Sequence, residues 1–363
     1  MRFQFLQSMA ERMMAFPVTG VDISDRTIKF MRFRKAGRFL RPDAHGNVDL
    51  PAGVVVEGEI HKPDLLIEAL KRLSVGPRFS EQFVIASLPE EKGFVRVIEV
   101  PRAKMDNLSA ALQWELEGNI PLPPEETYFD YEVVEASSTI DHASVVTVAF
   151  PRPIVDAYVS VLANAGMKPV ALEIESQSIT RALLDRTHLE NPVIICDIGT
   201  SRTSFVLTQH GSIAFTSTIP LSGQSLNKAI SAALGVDESE AETIKKSVGL
   251  KPDEWEGKVF AALQPVLTSL VDELEKHIHF YHDHLADRGN ASADIQSIIC
   301  TGGDASLIGL DAYLAKSLRK PVVIGDPFVS LAPFLGEQRP PVAKNVSLQF
   351  STAVGLSLRE FDL

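Results

Sequence analysis

Apolar residues recur with the spacing of extended chain in two distant places, and both follow the same course. Residues 19–33 read TGVDISDRTIKFMRF, and residues 194–207 read IICDIGTSRTSFVL. Each runs through an apolar strand, Asp-Ile, a short polar turn, Thr and a second apolar strand, which is the pattern of a β-hairpin. A third element at residues 298–310, IICTGGDASLIGL, reads as strand, glycine turn and helix.

Between these landmarks the periodicity alternates between strand and helix. Helices are predicted over residues 63–73 and 151–167, each opened by proline. Further helices are predicted over 238–247, 257–286, 307–318 and 351–360. A third strand is expected near residues 47–50 and another from Phe83. Residues 94–101, 105–120, 128–136 and 143–150 read as strand, helix, strand, strand, a small α+β unit broken by the proline-rich PLPPEE. Residues 1–17 read as a separate helix, with Leu6, Met9, Ala10 and Met13 at helical spacing and Arg2 and Arg12 making it basic.

The turns carry the chemistry. A tight polar turn aims backbone N–H groups in one direction and binds anions without a lysine. Hydroxyls add donors, and small residues allow close approach. The candidates are Ser24, Asp25 and Thr27 in the first turn, and Gly199, Thr200, Ser201 and Thr203 in the second. Asp22 and Asp197 close the two strands, and carboxylates on opposite sides of a triphosphate hold a hydrated Mg²⁺. Gly302 and Gly303 leave room for a base or ribose. Glu242 and Lys245, at i and i+3, are placed to bracket the ribose. Glu273, Lys276 and His277 on the long helix are candidates for the adenine.

Composition removes several classes. The chain has 363 residues, 45% of them hydrophobic, enough for two or three domains with real cores. A net charge of −12 argues against a broad nucleic-acid surface. No apolar run approaches the ~20 residues that span a bilayer, and charged residues interrupt any signal-like start. The two cysteines, Cys196 and Cys300, read as small buried core residues, not as a disulfide scaffold. Four histidines within residues 277–284 do not converge on one helix face, so a polar surface is expected there and no metal site.

With these elements in order, the chain resembles the actin-like ATPase superfamily, and within it the PilM family of type IV pilus assembly, relatives of the division protein FtsA. The resemblance runs from Gly20 to about Arg359. It is carried by GVDISDRTIKF, PAGVVVEGEI, GMKPVALEIESQSITRALL, CDIGTSRTSFVL, AETIKKSVG, TGGDASLIGL and AVGLSLRE. It is also carried by IASLPEEKGFVRVIEVPRAKMDNLSAALQWELEGNIPLPPEE, whose stretch EVPRAKMDNLSAALQWELEGNIPLP is more specific than the nucleotide turns and is similar to the insert that replaces one actin subdomain.

The resemblance implies an α/β, duplicated actin-like ATPase (ribonuclease H-like) fold in two lobes, with an SHS2-like α+β insert in the first lobe. The expected division is an N-terminal helical extension (1–17), a first lobe (18–80 and 151–190, with the C-terminal helix 349–360), the insert (81–150), a second lobe (191–236 and 291–348) and its helical subdomain (237–290). It implies ATP and Mg²⁺ in the cleft, with Asp22 and Asp197 toward the metal and Gly223 near the phosphates. It also implies a cytoplasmic protein at the inner face of the inner membrane. There it would bind the cytoplasmic tail of a PilN-like membrane protein and connect to pilus motor and platform proteins.

The chain departs from the family pattern in three places. The first turn carries the extra carboxylate of Asp25, expected to repel a phosphate beside it, and is one residue shorter. Ser222-Gly223 stands where Gly-Gly is usual. No water-activating base stands out beyond Glu173 or Glu175, so ATP binding with slow or no hydrolysis is expected. Two alternatives stay open: an FtsA-like division protein, and a small-molecule kinase or phosphatase on the same fold.

Overall fold

Both hairpins form, and each grows into a five-stranded sheet of the same topology. The computed structural model describes residues 18–37, 39–73, 83–134, 139, 141–189, 191–284, 294–335 and 342–361. The helix expected over residues 1–17 lies outside them.

In the first sheet, β1 (Thr19–Ile23), β2 (Thr27–Ala36) and β3 (Phe39–Asp49) make an antiparallel meander. A small ribbon, β4 (Val55–Val56) and β5 (Glu59–Ile60), and helix α1 (Pro63–Leu73) lead to β6 (Phe83–Leu88), which pairs parallel with β1. The apolar positions of α1, Leu66, Ala69, Leu70 and Leu73, fall on one face and are buried. Asp64 in its first turn and Lys71 and Arg72 in its last suit the helix dipole.

The insert follows as β7 (Phe94–Pro101), α2 (Leu108–Asn119), β8 (Thr127–Val134) and β9 (His142–Pro151), with strand order β7-β9-β8. It has its own core, in which Leu112 of α2 packs with Ile98, Val100, Ala143 and Val145. Helix α3 (Arg152–Asn164), strand β10 (Lys168–Ile174) and helix α4 (Glu175–Leu183) return to the first lobe, where β10 completes the order β10-β6-β1-β2-β3.

The second lobe repeats the plan. Strands β11 (Val193–Ile198), β12 (Thr203–Gln209) and β13 (Ser212–Ile219) form the meander. Helices α5 (Gly223–Leu234), α6 (Glu238–Val248) and α7 (Lys258–His284) follow, then β14 (Ser297–Thr301), α8 (Leu310–Leu318) and β15 (Val322–Ile324). The order β13-β12-β11-β14-β15 matches the first sheet strand for strand. Local chemistry sets the helix ends. Ser222 and Asp237 accept from the backbone N–H groups of Ser225 and Glu240, and α5 stops at left-handed Gly235.

After single helical turns at Ala332–Leu335 and Lys344–Ser347, the chain closes with α9 (Ser351–Leu358), every residue of which is buried. This helix packs against α4, β1 and β2. Gly355 permits the approach: a Cβ there would stand 1.8 Å from the Ser178 carbonyl oxygen. With no room for that atom, only glycine fits at this helix crossing.

Three boundaries differ from the sequence expectation. The insert was expected from residue 81, but β6 is bonded between β10 and β1 of the first sheet, so the insert sheet begins at Phe94. Residues 291–348 were expected in the second lobe, yet Phe328, Leu331 and Leu335 pack with Met31, Phe33 and Leu40 of the first. The helix expected over 307–318 is shorter: a 3₁₀ turn occupies Gly303–Ser306, and α8 begins only at Leu310, after left-handed Gly309. In the first two cases the pairing and burial of distant segments decided the boundary, which local periodicity does not contain; in the third a left-handed glycine did.

Candidate functional site

The two hairpin turns and the glycine turn line one cleft of about 130 Å³ that opens to solvent. Asp22, Ser24, Arg26, Thr27 and Lys29 come from the first turn. Asp197, Gly199, Thr200, Ser201, Arg202 and Ser204 come from the second. Gly302 and Gly303 face them, while Gln349, Ser351 and Thr352 close the side where the chain enters α9.

The first turn is held from within. Ser24 Oγ donates to the Thr27 carbonyl at 2.9 Å, and Lys29 Nζ donates to Thr27 Oγ1 at 2.6 Å. Asp22, at the end of β1, is buried; its Oδ1 accepts from Ser87 Oγ at 3.0 Å, and Lys29 Nζ stands 4.0 Å from its Oδ2. Asp25 was expected to set a repelling carboxylate beside a phosphate. It is turned away and accepts from the backbone N–H groups of Gly58 (3.1 Å) and Glu57 (3.3 Å). The turn is three residues long against four in the second copy, as its sequence indicates.

The second turn rests on α5. The Gly199 carbonyl accepts from Gly223 N–H at 2.9 Å, and the Thr200 carbonyl from Gln224 N–H at 3.1 Å. The backbone N–H of Gly223 is therefore taken, and its α-carbon faces the Asp304 carboxylate and not the cleft. Thr203 is fully buried, with its hydroxyl donating to the Leu221 carbonyl at 2.7 Å, so it offers nothing to a ligand.

Gly302 has φ +88°, and a Cβ there would lie 2.4 Å from Asp197 Oδ1. Both the backbone and the neighbour demand glycine. Gly303 is open on its α-carbon side, with only Gln349 within 4 Å. That is the room a flat base or ribose needs.

Charge is concentrated under the cleft. Arg202 Nη2 donates to both oxygens of Glu175, at 2.7 and 2.8 Å, and Nη1 lies 2.9 Å from Glu91. Burial pushes the Glu175 carboxyl up to about 8, opposed by Arg202 and assisted by Glu91. Asp197 is raised to about 6, again first by burial, with Arg202 pulling it down and Asp22 adding to the rise. Glu90, raised by burial, accepts from the Ser176 N–H at 3.0 Å. Glu173, the other candidate base, is committed to Arg181 at 2.5 and 2.7 Å.

Five further predicted residues, Glu242, Lys245, Glu273, Lys276 and His277, do not line the cleft. Glu242 pairs with Lys246 at 2.5 Å, and Lys245 is buried against Asp304 at 2.5 Å, so the two do not bracket a shared ligand. Lys276 is exposed and pairs with Glu273 at 2.8 Å. His277 is a core histidine, bonded to Ser217 Oγ (2.5 Å) and the Glu273 carbonyl (2.6 Å) and stacked on Phe205. Burial lowers its pKa. Sequence reasoning missed Arg26, Lys29, Arg202, Gln349, Ser351 and Thr352. The three cations stood inside the quoted turns, where their charge was the available signal; the other three are gathered by the fold alone.

Among the described residues no three His, Cys, Asp or Glu side chains cluster to hold a metal unaided. Two facing carboxylates, Asp22 and Asp197, are what a Mg²⁺ arriving with phosphate oxygens and its own water requires. The donor set therefore fits a nucleotide-borne Mg²⁺ and does not fit a standing protein cage.

A family model described as type IV pilus assembly protein PilM matches residues 20–361. A solved PilM–PilN type IV pilus biogenesis complex is similar at 24% identity over 95% of this chain and 99% of that one, with a TM-score of 0.79. The ethanolamine utilization protein EutJ of Carboxydothermus hydrogenoformans superposes at a TM-score of 0.55, with 17% identity over 94% of this chain and 89% of that one. MreB5 of Spiroplasma citri bound to ADP does so at 0.55, with 14% identity over 88% and 93%. The duplicated actin-like fold is thus shared with these proteins. No helix among the described residues is long and apolar enough to cross a membrane.

Proposed function

The chain belongs to the type IV pilus assembly protein PilM family, and on that premise we propose that it is an ATP-binding adaptor of pilus assembly. ATP with Mg²⁺ occupies the cleft, its phosphates against the turns at residues 24–27 and 199–201 and its metal between Asp22 and Asp197. The observation that carries this reading is the matched pair of sheets whose first turns line one cleft. The neighbour MreB5 was solved with ADP, which supports a nucleotide in the same fold.

Turnover is slow in this reading. Glu175 is the carboxylate nearest to a base role, and Arg202 holds both its oxygens. A pinned carboxylate orients water poorly, since a general base must reach the proton that it takes. Nucleotide instead sets the closure of the lobes, and closure tunes affinity for a protein partner.

The partner in this proposal is the cytoplasmic tail of a PilN-like membrane protein, in line with the partner in the similar complex. It places the protein at the inner face of the inner membrane, connected to pilus motor and platform proteins. Calorimetry with ATP and Mg²⁺ tests the first part: micromolar binding that Asp197→Asn weakens supports it, and no binding by the native chain points to a nucleotide-free scaffold. Fluorescence anisotropy with a labelled tail peptide, with and without ATP, tests the second. Equal peptide affinity in both conditions would remove the coupling.

A further inference from the structure

We infer that Arg26 receives the terminal phosphate of the bound nucleotide, so that the cleft distinguishes a triphosphate from a diphosphate. This rests on the nucleotide reading above and concerns which nucleotide the site prefers.

The two turns each place an arginine directly before the threonine that opens the second strand: Arg26-Thr27 and Arg202-Thr203. Their surroundings differ. Arg202 is half-buried and spent on Glu175 and Glu91. Lys29, the third cation of the cleft, donates to Thr27 and lies near Asp22. Arg26 is exposed, lines the cleft and has no ion-pair partner among the described residues.

Its backbone is nevertheless fixed. The Arg26 carbonyl accepts from Leu50 N–H at 2.8 Å, and the preceding Asp25 is tied to the amides of Glu57 and Gly58. A rigid base with a free guanidinium spends little entropy on capturing an anion. The carboxylates of the same cleft, Asp22 and Asp197, demand such a cation, because a further phosphate brings negative charge into their field. Arginine's planar fork matches two phosphate oxygens.

The test is calorimetry of ATP and of ADP, at fixed Mg²⁺ and ionic strength, on the native chain, Arg26→Ala and Arg26→Lys. Arg26→Ala is expected to lower ATP affinity roughly tenfold, the size of one partly exposed charge-assisted contact, and ADP affinity by about twofold or less. Arg26→Lys, which keeps the charge without the fork, should recover part of the loss. Equal losses for both nucleotides, or no loss, overturn the inference while leaving the nucleotide reading intact. A native chain that binds neither nucleotide overturns both.

Discussion

Arg202 of the second turn grips both carboxylate oxygens of Glu175, the first residue of α4 in the opposite lobe, at 2.7 and 2.8 Å. The lobes are thus joined by a part-buried, doubly hydrogen-bonded pair at the floor of the cleft, independent of any ligand. Removing Arg202 leaves the buried oxygens of Glu175 and Glu91 without their donor, which is costlier than losing both partners together. Arg202→Met is therefore predicted to destabilise the protein by about 1–3 kcal/mol, read by urea denaturation. The double variant with Glu175→Gln should recover part of that loss.

The same pair predicts a pH dependence. The folded pKa of Glu175, about 8, lies above its unfolded value, so the folded state holds the proton more tightly. Its contribution is complete below the unfolded pKa and is lost as pH rises through about 8. Melting temperature should fall between about pH 5 and 8, and Glu175→Gln should flatten that slope. A native profile already flat over this range would contradict the assignment.

Asp197 titrates the other way in function. Its raised pKa of about 6 means that the free protein is partly protonated in mild acid, whereas Mg²⁺ requires the carboxylate. Affinity for Mg²⁺–nucleotide should drop roughly tenfold between pH 7 and pH 5 through this group. In Asp197→Asn only the titration of the nucleotide's own phosphates should remain. Titrations at the two pH values on both proteins separate the contributions.

Adjacent glycines should behave unlike one another. Gly302→Ala meets a left-handed backbone and the Asp197 carboxylate, and is expected to cost about 1–3 kcal/mol of stability. Gly303→Ala meets only Gln349, at 3.9 Å, so it should fold normally. It should still weaken nucleotide binding if the base or ribose lies on that face. Thermal melts and calorimetry on the two variants distinguish them.

His277 and Lys276 test the corrected placement. His277→Ala removes a stacked, doubly bonded core side chain and should cost on the order of 2 kcal/mol, with nucleotide affinity unchanged. Lys276→Ala, on an exposed face, should alter neither quantity. A selective loss of nucleotide binding in either variant would return these residues to the site.

How far the sequence could be read depended on whether the information was local. Asp22 and Asp197 were legible because each ends a strand before a polar turn, and strand-and-turn patterns are written in neighbouring residues. Lys245 and His277 were misplaced because helical spacing shows which residues share a face and not what that face meets. One face met Asp304, the other Phe205 and Ser217. Asp25 looked repulsive for the same reason: its partners, the amides of Glu57 and Gly58, lie thirty residues further along the chain.

By itself, the order of apolar strands, polar turns and glycines determined the duplicated architecture and the two aspartate-bearing turns. Only the tertiary structure decided that Arg202 is consumed across the lobes while Arg26 stays free, that Gly223 serves Asp304, and that Gln349, Ser351 and Thr352 wall the cleft. Those outcomes depend on which distant segments share buried volume and charge. Free energies of burial and pairing act through space, and a linear pattern carries no record of the distances between its parts.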